Sequence, residues 1–463
     1  MKKPLLALSL AILAASLIGF LACNKESAAS PSTTTGNNIP PELTVTASLQ
    51  GRVIDENGTP VQGATVTSGT ATTTTDINGA FTFNNISLSS RFGYVKVTKT
   101  GYFAGSRSII TNGGEVNYVS IQLTPRQAGG TFSAATGGKV AIQLGDSASF
   151  PAASIVNATT NTAYTGTVHL YAIYLDPTDS LLYKYMPGDL RGTGSDGKET
   201  ALQSFGMMGV ELQDDAGNKL QIASGQKATL TFAIPASLQA SAPATMALWY
   251  FNDSTGRWIQ QGTASRQGNS YVGQVTHFSY WNCDAPIATI NFKVKLKDQY
   301  GNPLAFTWLQ FSSAVYGTRG AYTDVNGFAQ GLLPKGQELV LKAMTECGGL
   351  LGGINAGPAL SDLDLGSITV TTTSAAELIL KGTVANCSNN LVDSGYVNVL
   401  VDGLNHRAAV TKGAFMLPVN RCYATTVPVK LTAVDLANQT TGSTVTISAL
   451  SDTVRTGQLS ACN

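Results

Sequence analysis

Charge is what this sequence has least of. Only 12% of its 463 residues are Asp, Glu, Lys or Arg, about half the ~25% of an average globular chain. The 29 basic residues form no cluster, two of them are Lys2 and Lys3, and 28 acidic residues balance them. A nucleic-acid binder needs a basic face to neutralise phosphates, so nucleic acid is excluded as a partner. Histidine is almost as scarce: His169, His277 and His406 are the three. The residues three places after them are Ala172, Tyr280 and Ala409, so the short His/Glu motif of a zinc peptidase is missing. There is no Gly-x-Ser-x-Gly elbow and no CxxC pair. A Ser-His-Asp triad needs no adjacency in sequence, so a hydrolase with a dispersed site in residues 126–283 stays open as the alternative. The expectation is a chain that is not an enzyme, with no cofactor and no metal.

What is present starts at the N-terminus. Met1-Lys2-Lys3 is followed by an uncharged apolar run over residues 4–21, then by Cys23 and the polar Asn24-Lys25-Glu26. This order marks a secretory signal peptide, 1–22. A single transmembrane anchor is the other reading, because the run reaches the lower limit of a spanning helix, but no stop-transfer charges follow it. Leu21-Ala22-Cys23 resembles the lipobox of bacterial lipoproteins, with Phe20 where that family usually has Leu. Asn24-Lys25-Glu26 resembles the export tag of Bacteroidota surface lipoproteins. The resemblance implies acylation of Cys23, an anchor of ~0.8 kcal/mol per buried CH₂, and a surface-exposed place on the outer membrane of the cell envelope. Residues 23–45 are rich in Ser, Thr, Pro and Gly and read as a flexible tether.

Beyond the tether no stretch shows a helical period. Short alternating strands with turn signals every 8–12 residues predict an all-β chain of tandem sandwiches. A pattern recurs. Residues 51–66 run from Gly51-Arg52-Val53 through the turn Glu56-Asn57-Gly58 to Ala64-Thr65-Val66, and Asp76-Ile77-Asn78-Gly79-Ala80-Phe81 follows. It returns at Val294 to Leu304 with Asp324-Val325-Asn326-Gly327-Phe328, and in degenerate form at Leu380 to Val384 with Lys412-Gly413-Ala414-Phe415. Asn and Gly suit the positive-φ positions of tight turns. The pattern resembles the carboxypeptidase regulatory-like domain, a seven-stranded, transthyretin-like, Ig-like accessory sandwich whose name implies no peptidase activity. Its relatives include starch-binding modules, which implies carbohydrate binding. The domains expected are 46–125, a β-rich middle domain at 126–283, a second regulatory-like sandwich at 284–372 and a third, divergent one at 373–463. The middle domain, with Trp249 and Trp258 flanking the turn Asp253-Ser254-Thr255-Gly256, is similar to the β-rich ectodomain of cartilage intermediate layer protein.

Three sets of residues are candidate sites. Trp249 and Trp258, with Tyr250, Tyr280, Trp281 and Trp308 nearby in sequence or module, form a sugar platform if their rings are exposed; core packing is the commoner use of such rings in sandwiches. The Asp-rich loops at Asp55, Asp76, Asp253 and Asp324 lack the distant Glu of a calcium loop and read as turns. Export permits disulfides among Cys283, Cys347, Cys387, Cys422 and Cys462; the expectation is Cys283–Cys347, with Cys387 joined to Cys422 or Cys462. The function expected is that of a lipid-anchored adhesion or scaffold protein, with a glycan or an extracellular protein as partner and the membrane reached through the anchor. A purely structural stalk is a further alternative.

Overall fold

The computed structural model describes residues 40–463 except 300, 302, 314–315, 345–348, 371–376, 402–403, 421–426, 450–451 and 463. The expected signal segment 1–22, Cys23 and the expected tether up to residue 39 lie outside the described residues, as do Cys347 and Cys422; the last two tether positions, Thr44 and Val45, belong to a strand. Among the described residues no helix is long and apolar enough to cross a membrane. The fold is all β. One helical turn, Leu182–Tyr185, and one 3₁₀ turn, Ala236–Leu238, are the helical elements described.

Among the described residues, strands pair only within four successive spans: 44–122, 128–287, 289–369 and 377–460. The first span builds seven strands: β1 (Thr44–Ile54), β2 (Thr65–Ser68), β3 (Ala71–Thr74), β4 (Ala80–Ser89), β5 (Gly93–Thr98), β6 (Gly105–Ile109) and β7 (Val116–Gln122). One sheet has the order β4-β1-β7 and the other β3-β2-β5-β6. β1 alternates, sending Ala47, Leu49 and Val53 inward, as a half-buried strand must. It pairs antiparallel with β4 and parallel with β7. Phe81, Phe83, Val95, Val97, Val119 and Ile121 fill the space between the sheets.

The third span has the same order. Thr289–Lys297 lies between Phe328–Pro334 and the parallel Leu363–Thr369, and the second sheet runs Gly317–Tyr322, Trp308–Ser313, Val340–Met344, Leu350–Asn355. The divergent fourth span keeps that order too: Glu377–Ala385 lies between Ala414–Asn420 and the parallel Asp452–Ser460. Three backbone hydrogen bonds outside the ladders recur in all three. Gly79 O, Gly327 O and Gly413 O accept from Val53, Leu296 and Val384 at 2.7–2.8 Å, and the carbonyls of those three accept from Val61, Leu304 and Val392 at 3.0 Å. Ile54 O, Lys297 O and Ala385 O accept from Leu123, Val370 and Ala461, each at 2.8 Å. The turn glycine must be glycine: a Cβ on Gly79 or Gly327 would stand 2.2 Å from the carbonyl of Val53 or Leu296, at φ +68° and +75°.

The second span is one system of thirteen strands. Its spine, Glu199–Gln213, is bulged between Ser204 and Met207, and a bulge turns a strand. Buried residues therefore serve two cores. The larger holds Phe132, Leu170, Phe232, Tyr271, Trp281 and Cys283; the smaller holds Leu175, Leu202, Met207, Trp249, Phe251 and Trp258.

Candidate functional site

The residues singled out in the sequence are largely structural. The turn Asp253 to Gly256 does join two antiparallel strands, Thr245–Asn252 and Arg257–Gln267. Trp249 and Trp258, however, are 1% and 0% exposed. Their indole N–H groups donate to backbone carbonyls, Trp249 Nε1 to Asp284 O at 3.1 Å and Trp258 Nε1 to Asp189 O at 2.8 Å. A buried indole satisfied in this way is a core residue, so the sugar platform is corrected. The cross-strand neighbour of Trp258 is Phe251, ring centres 5.3 Å apart, not Trp249. Trp281 is equally buried, and half-buried Trp308 stacks on Tyr183 at 4.4 Å.

Cys283 is a free, fully buried thiol opposite Leu248 in the middle sheet. The expected Cys283–Cys347 bridge is therefore corrected: strand alternation aims Cys283 into the core of its own domain. Cys387 is bonded to Cys462, across 75 residues. The Asp loops are turns; in three of them the carboxylate holds its own backbone, while at Asp253 the turn is held by Asn252 Oδ1 and the carboxylate pairs with Lys96. Asp55, Asp76 and Asp324 each accept two N–H groups through Oδ1, from Asn57 and Thr59, Asn78 and Ala80, Asn326 and Phe328. His169 pairs with Asp215 at 2.6 Å, with 35% and 72% of the two side chains exposed. His277 packs against Tyr250 and Trp281, and burial holds its pKa below the usual value.

Polar chemistry concentrates instead where modules meet, and the first sandwich meets all three others. Against the middle domain, Arg91 makes a two-point contact with Glu199 at 3.0 and 2.8 Å, with side chains 6% and 9% exposed. Arg191 bridges Glu199, Asp189 and the carbonyl of Arg91. The guanidinium groups of Arg191 and Arg257 lie 4.5 and 4.2 Å from the ring centre of Phe92. Burial pushes the Asp189 carboxyl up against the pull of Arg191. Arg107 donates to the carbonyls of Lys184 and Gly188. Against the third module, Asn112 donates to Asp324 Oδ2 at 3.0 Å, Asn326 to Glu115 at 2.6 Å, and Tyr118 stacks on Phe306. Against the fourth, Tyr396 donates its hydroxyl to Asp76 Oδ2, and Arg407 donates to Phe81 O and Thr82 Oγ1. The Asp turn is thus used twice in one way: one carboxylate oxygen holds the turn and the other accepts from a neighbouring module. Sequence reasoning missed these contacts between modules, since partners 77 to 326 residues apart leave no local signal. The one clue was a charged Arg91-Phe92 in a chain so poor in charge.

Between the middle and third modules lies a cavity of about 170 Å³. Arg319 lines it. The side chain donates through Nε to Tyr316 O at 2.9 Å and through Nη2 to Leu202 O across the seam. Ser204, also in the lining, donates to Asn282 Oδ1 at 2.6 Å, and Asn282 Nδ2 donates to Asp284 Oδ2 at 2.7 Å. Asp284 is 0% exposed and its Oδ1 has no partner. Burial drives its carboxyl well above the usual range, against the opposing pull of Arg319.

No family model matches the chain. The chain is 31% identical over 107 residues to human cartilage intermediate layer protein 2, a stretch that is 23% of this chain and 9% of that protein. Likeness to solved structures is weak. A streptococcal ancillary pilin aligns with 46% of this chain and 92% of its own at 11% identity and a TM-score of 0.17. The shaft pilin of Lactobacillus rhamnosus GG aligns with 37% and 97% at 9% identity and a TM-score of 0.20. The major pilin subunit of Bacillus cereus aligns with 90% and 99% at 8% identity and a TM-score of 0.14. Scores this low carry no inference about function; the chain is similar to human cartilage intermediate layer protein 2 over one short stretch, and its all-β fold stands on its own strands.

Proposed function

We propose that this chain is a non-catalytic surface scaffold, lipid-anchored to the outer membrane through Cys23, that presents four sandwich modules as one fixed body to a partner outside the cell. The observation that carries the reading is the first sandwich held against each of the other three. A buried two-point Arg–Glu contact such as Arg91–Glu199 fixes geometry as well as contributing energy. The titratable groups most altered by burial sit in these seams or in cores, where they hold modules together. The recurring strand order supports reading spans 44–122, 289–369 and 377–460 as copies of the regulatory-like sandwich. A row of sandwiches joined only end to end, as a simple stalk requires, would not place residue 76 beside residue 396.

The test is fractionation and protease treatment of intact cells that make the chain. The expected result is an outer-membrane chain digested from outside, and a Cys23→Ser variant that is released from the membrane fraction. A Cys23→Ser chain that stays in the membrane, or a parent chain protected from external protease, would overturn the anchored-surface reading.

A further inference from the structure

The guanidinium of Arg319 is the one described cation in the lining of the 170 Å³ cavity between the middle and third modules. It is half-buried, and its Nε and Nη2 are spent on two backbone carbonyls. Carbonyls satisfy N–H groups but carry no full negative charge, and Asp284 and Asp189 act on this guanidinium only through space, without a hydrogen bond to it. Among the described residues no carboxylate lies within 4 Å of it, and Nη1 has no hydrogen-bond partner there. Partly buried arginines normally sit with an anion. The rest of the lining says which kind. Ser237 offers a hydroxyl, Ser204 Oγ donates to Asn282 and keeps acceptor lone pairs, Thr318 Oγ1 shares a hydrogen bond with Ser312 Oγ at 2.9 Å, and Leu190 and Leu238 offer an apolar wall. Inorganic phosphate would waste that wall, and a fatty acid would waste the hydroxyls. The volume is below the ~300–1,000 Å³ of drug-sized sites, so the occupant is a single small molecule.

We propose that this cavity is a binding site for a small hydroxylated carboxylate of monosaccharide size, its carboxylate taken by Arg319 and its hydroxyls by Ser204, Ser237 and Thr318. Asp179 is the carboxylate in the lining, and it is held by the Leu181 N–H at 2.8 Å and the Tyr185 hydroxyl at 2.5 Å. Asp284, linked to Ser204 through Asn282, pulls on Arg319 only through space, and burial opposes its charged form. Because Arg319 donates to Leu202 O across the seam, an occupied cavity also fastens the third module to the middle one. The site goes beyond the scaffold reading and does not depend on the anchor, so either one can fail alone.

Calorimetric titration of the purified chain with sodium D-glucuronate, against D-glucose and sodium chloride at matched ionic strength, tests this. Glucuronate is expected to bind saturably, one per chain, and to raise the melting temperature, while glucose does neither. Arg319→Gln should weaken glucuronate binding at least about tenfold, which is ~1.4 kcal/mol. Since Arg319 also braces the seam, Ser237→Trp serves as the second variant. It places an indole in the cavity mouth from an exposed position, and should abolish binding with the unliganded melting temperature unchanged. Glucuronate binding no tighter than glucose, or undiminished in Ser237→Trp, would sink the proposal.

Discussion

Asp146 shows at the residue scale how a single buried acid makes stability depend on pH. It is 1% exposed, sits just before the strand Ser147–Phe150, and accepts the Ala233 N–H through Oδ1 at 2.5 Å. Its Oδ2 has no partner, and burial pushes its pKa up to about 7. An unfolded Asp titrates near ~3.9. Between those values the folded chain holds a proton that the unfolded chain has lost, so this group's contribution falls as pH rises from about 4 to 7. Acidification from pH 7 toward pH 5 should therefore stabilise the protein through this residue. Asp146→Asn keeps the acceptor for Ala233 and removes the titration. Melting curves at pH 5 and pH 7.5 should show a smaller gap in the variant than in the parent; an equal gap would mean that Asp146 titrates normally. Nothing in the sequence marked this residue. The short run Gly145-Asp146-Ser147 looks like a solvated turn, and only the neighbouring strand Ala228–Ala233, some eighty residues away, buries it.

The recurring strand order gives the element scale its clearest case. Gly51 on β1 faces Phe81 on β4, and a Cβ there would stand 2.4 Å from the ring. The fourth module repeats the pair as Gly382 and Phe415. In the third module the paired positions hold Val294 and Ala329: the bulk has changed strands while the space between sheets is still filled. Close packing predicts coupling. Gly51→Val alone should cost at least ~1–3 kcal/mol by overpacking, and Phe81→Ala ~3–5 kcal/mol by cavity formation. The double variant, which copies the third module, should cost less than the sum by about 0.5–3 kcal/mol. Urea unfolding of the four proteins measures it; strict additivity would show that the two strands do not share the space. The pattern in the sequence located these strands and turns, since alternation and Asn-Gly signals are local. In the third module the phenylalanine follows the turn glycine directly, one place earlier than Phe81 does, so the register puts Ala329 opposite Val294 and leaves Phe328 half-buried. A one-residue offset is invisible without the partner strand, because it exchanges the two faces. The same limit explains the tryptophans: Trp249 and Trp258 were legible as hairpin residues, but the Leu182–Leu202 segment that covers them was not.

Whole-molecule architecture is where the sequence was least informative and where ion pairs differ most in value. Arg91–Glu199 is nearly dry and doubly bonded. Lys96–Asp253 joins the same two modules at 2.6 Å but with 27% and 54% of the side chains exposed. Exposed pairs contribute ~0.2–1 kcal/mol, whereas breaking a buried pair by removing one partner costs ~3–5 kcal/mol. Arg91→Ala should thus destabilise severely and Lys96→Ala barely, and a double-mutant cycle should give larger coupling for Arg91 with Glu199 than for Lys96 with Asp253. Equal couplings would argue against a fixed seam between the first and middle modules. Each of the four spans pairs its strands locally, so alternation and turn signals lie close together along the chain. Their mutual arrangement has no such local signal, because Arg191, Arg319 and Arg407 are scattered single charges, each with at least one acceptor in another module.

The central place of the first sandwich also bears on the order of events during synthesis. Its two sheets close within residues 44–122, so it can fold as soon as it emerges, as domains generally do from the N-terminal end. The faces carrying Phe92, Tyr94 and Tyr118 then stay bare until the middle and third modules arrive, and Asp76 waits for Tyr396, 320 residues behind it. The earliest part of the chain to mature is the last to be fully covered. A delay late in synthesis therefore leaves a folded but sticky nucleus, exposed to cross-reaction between chains rather than to unfolding.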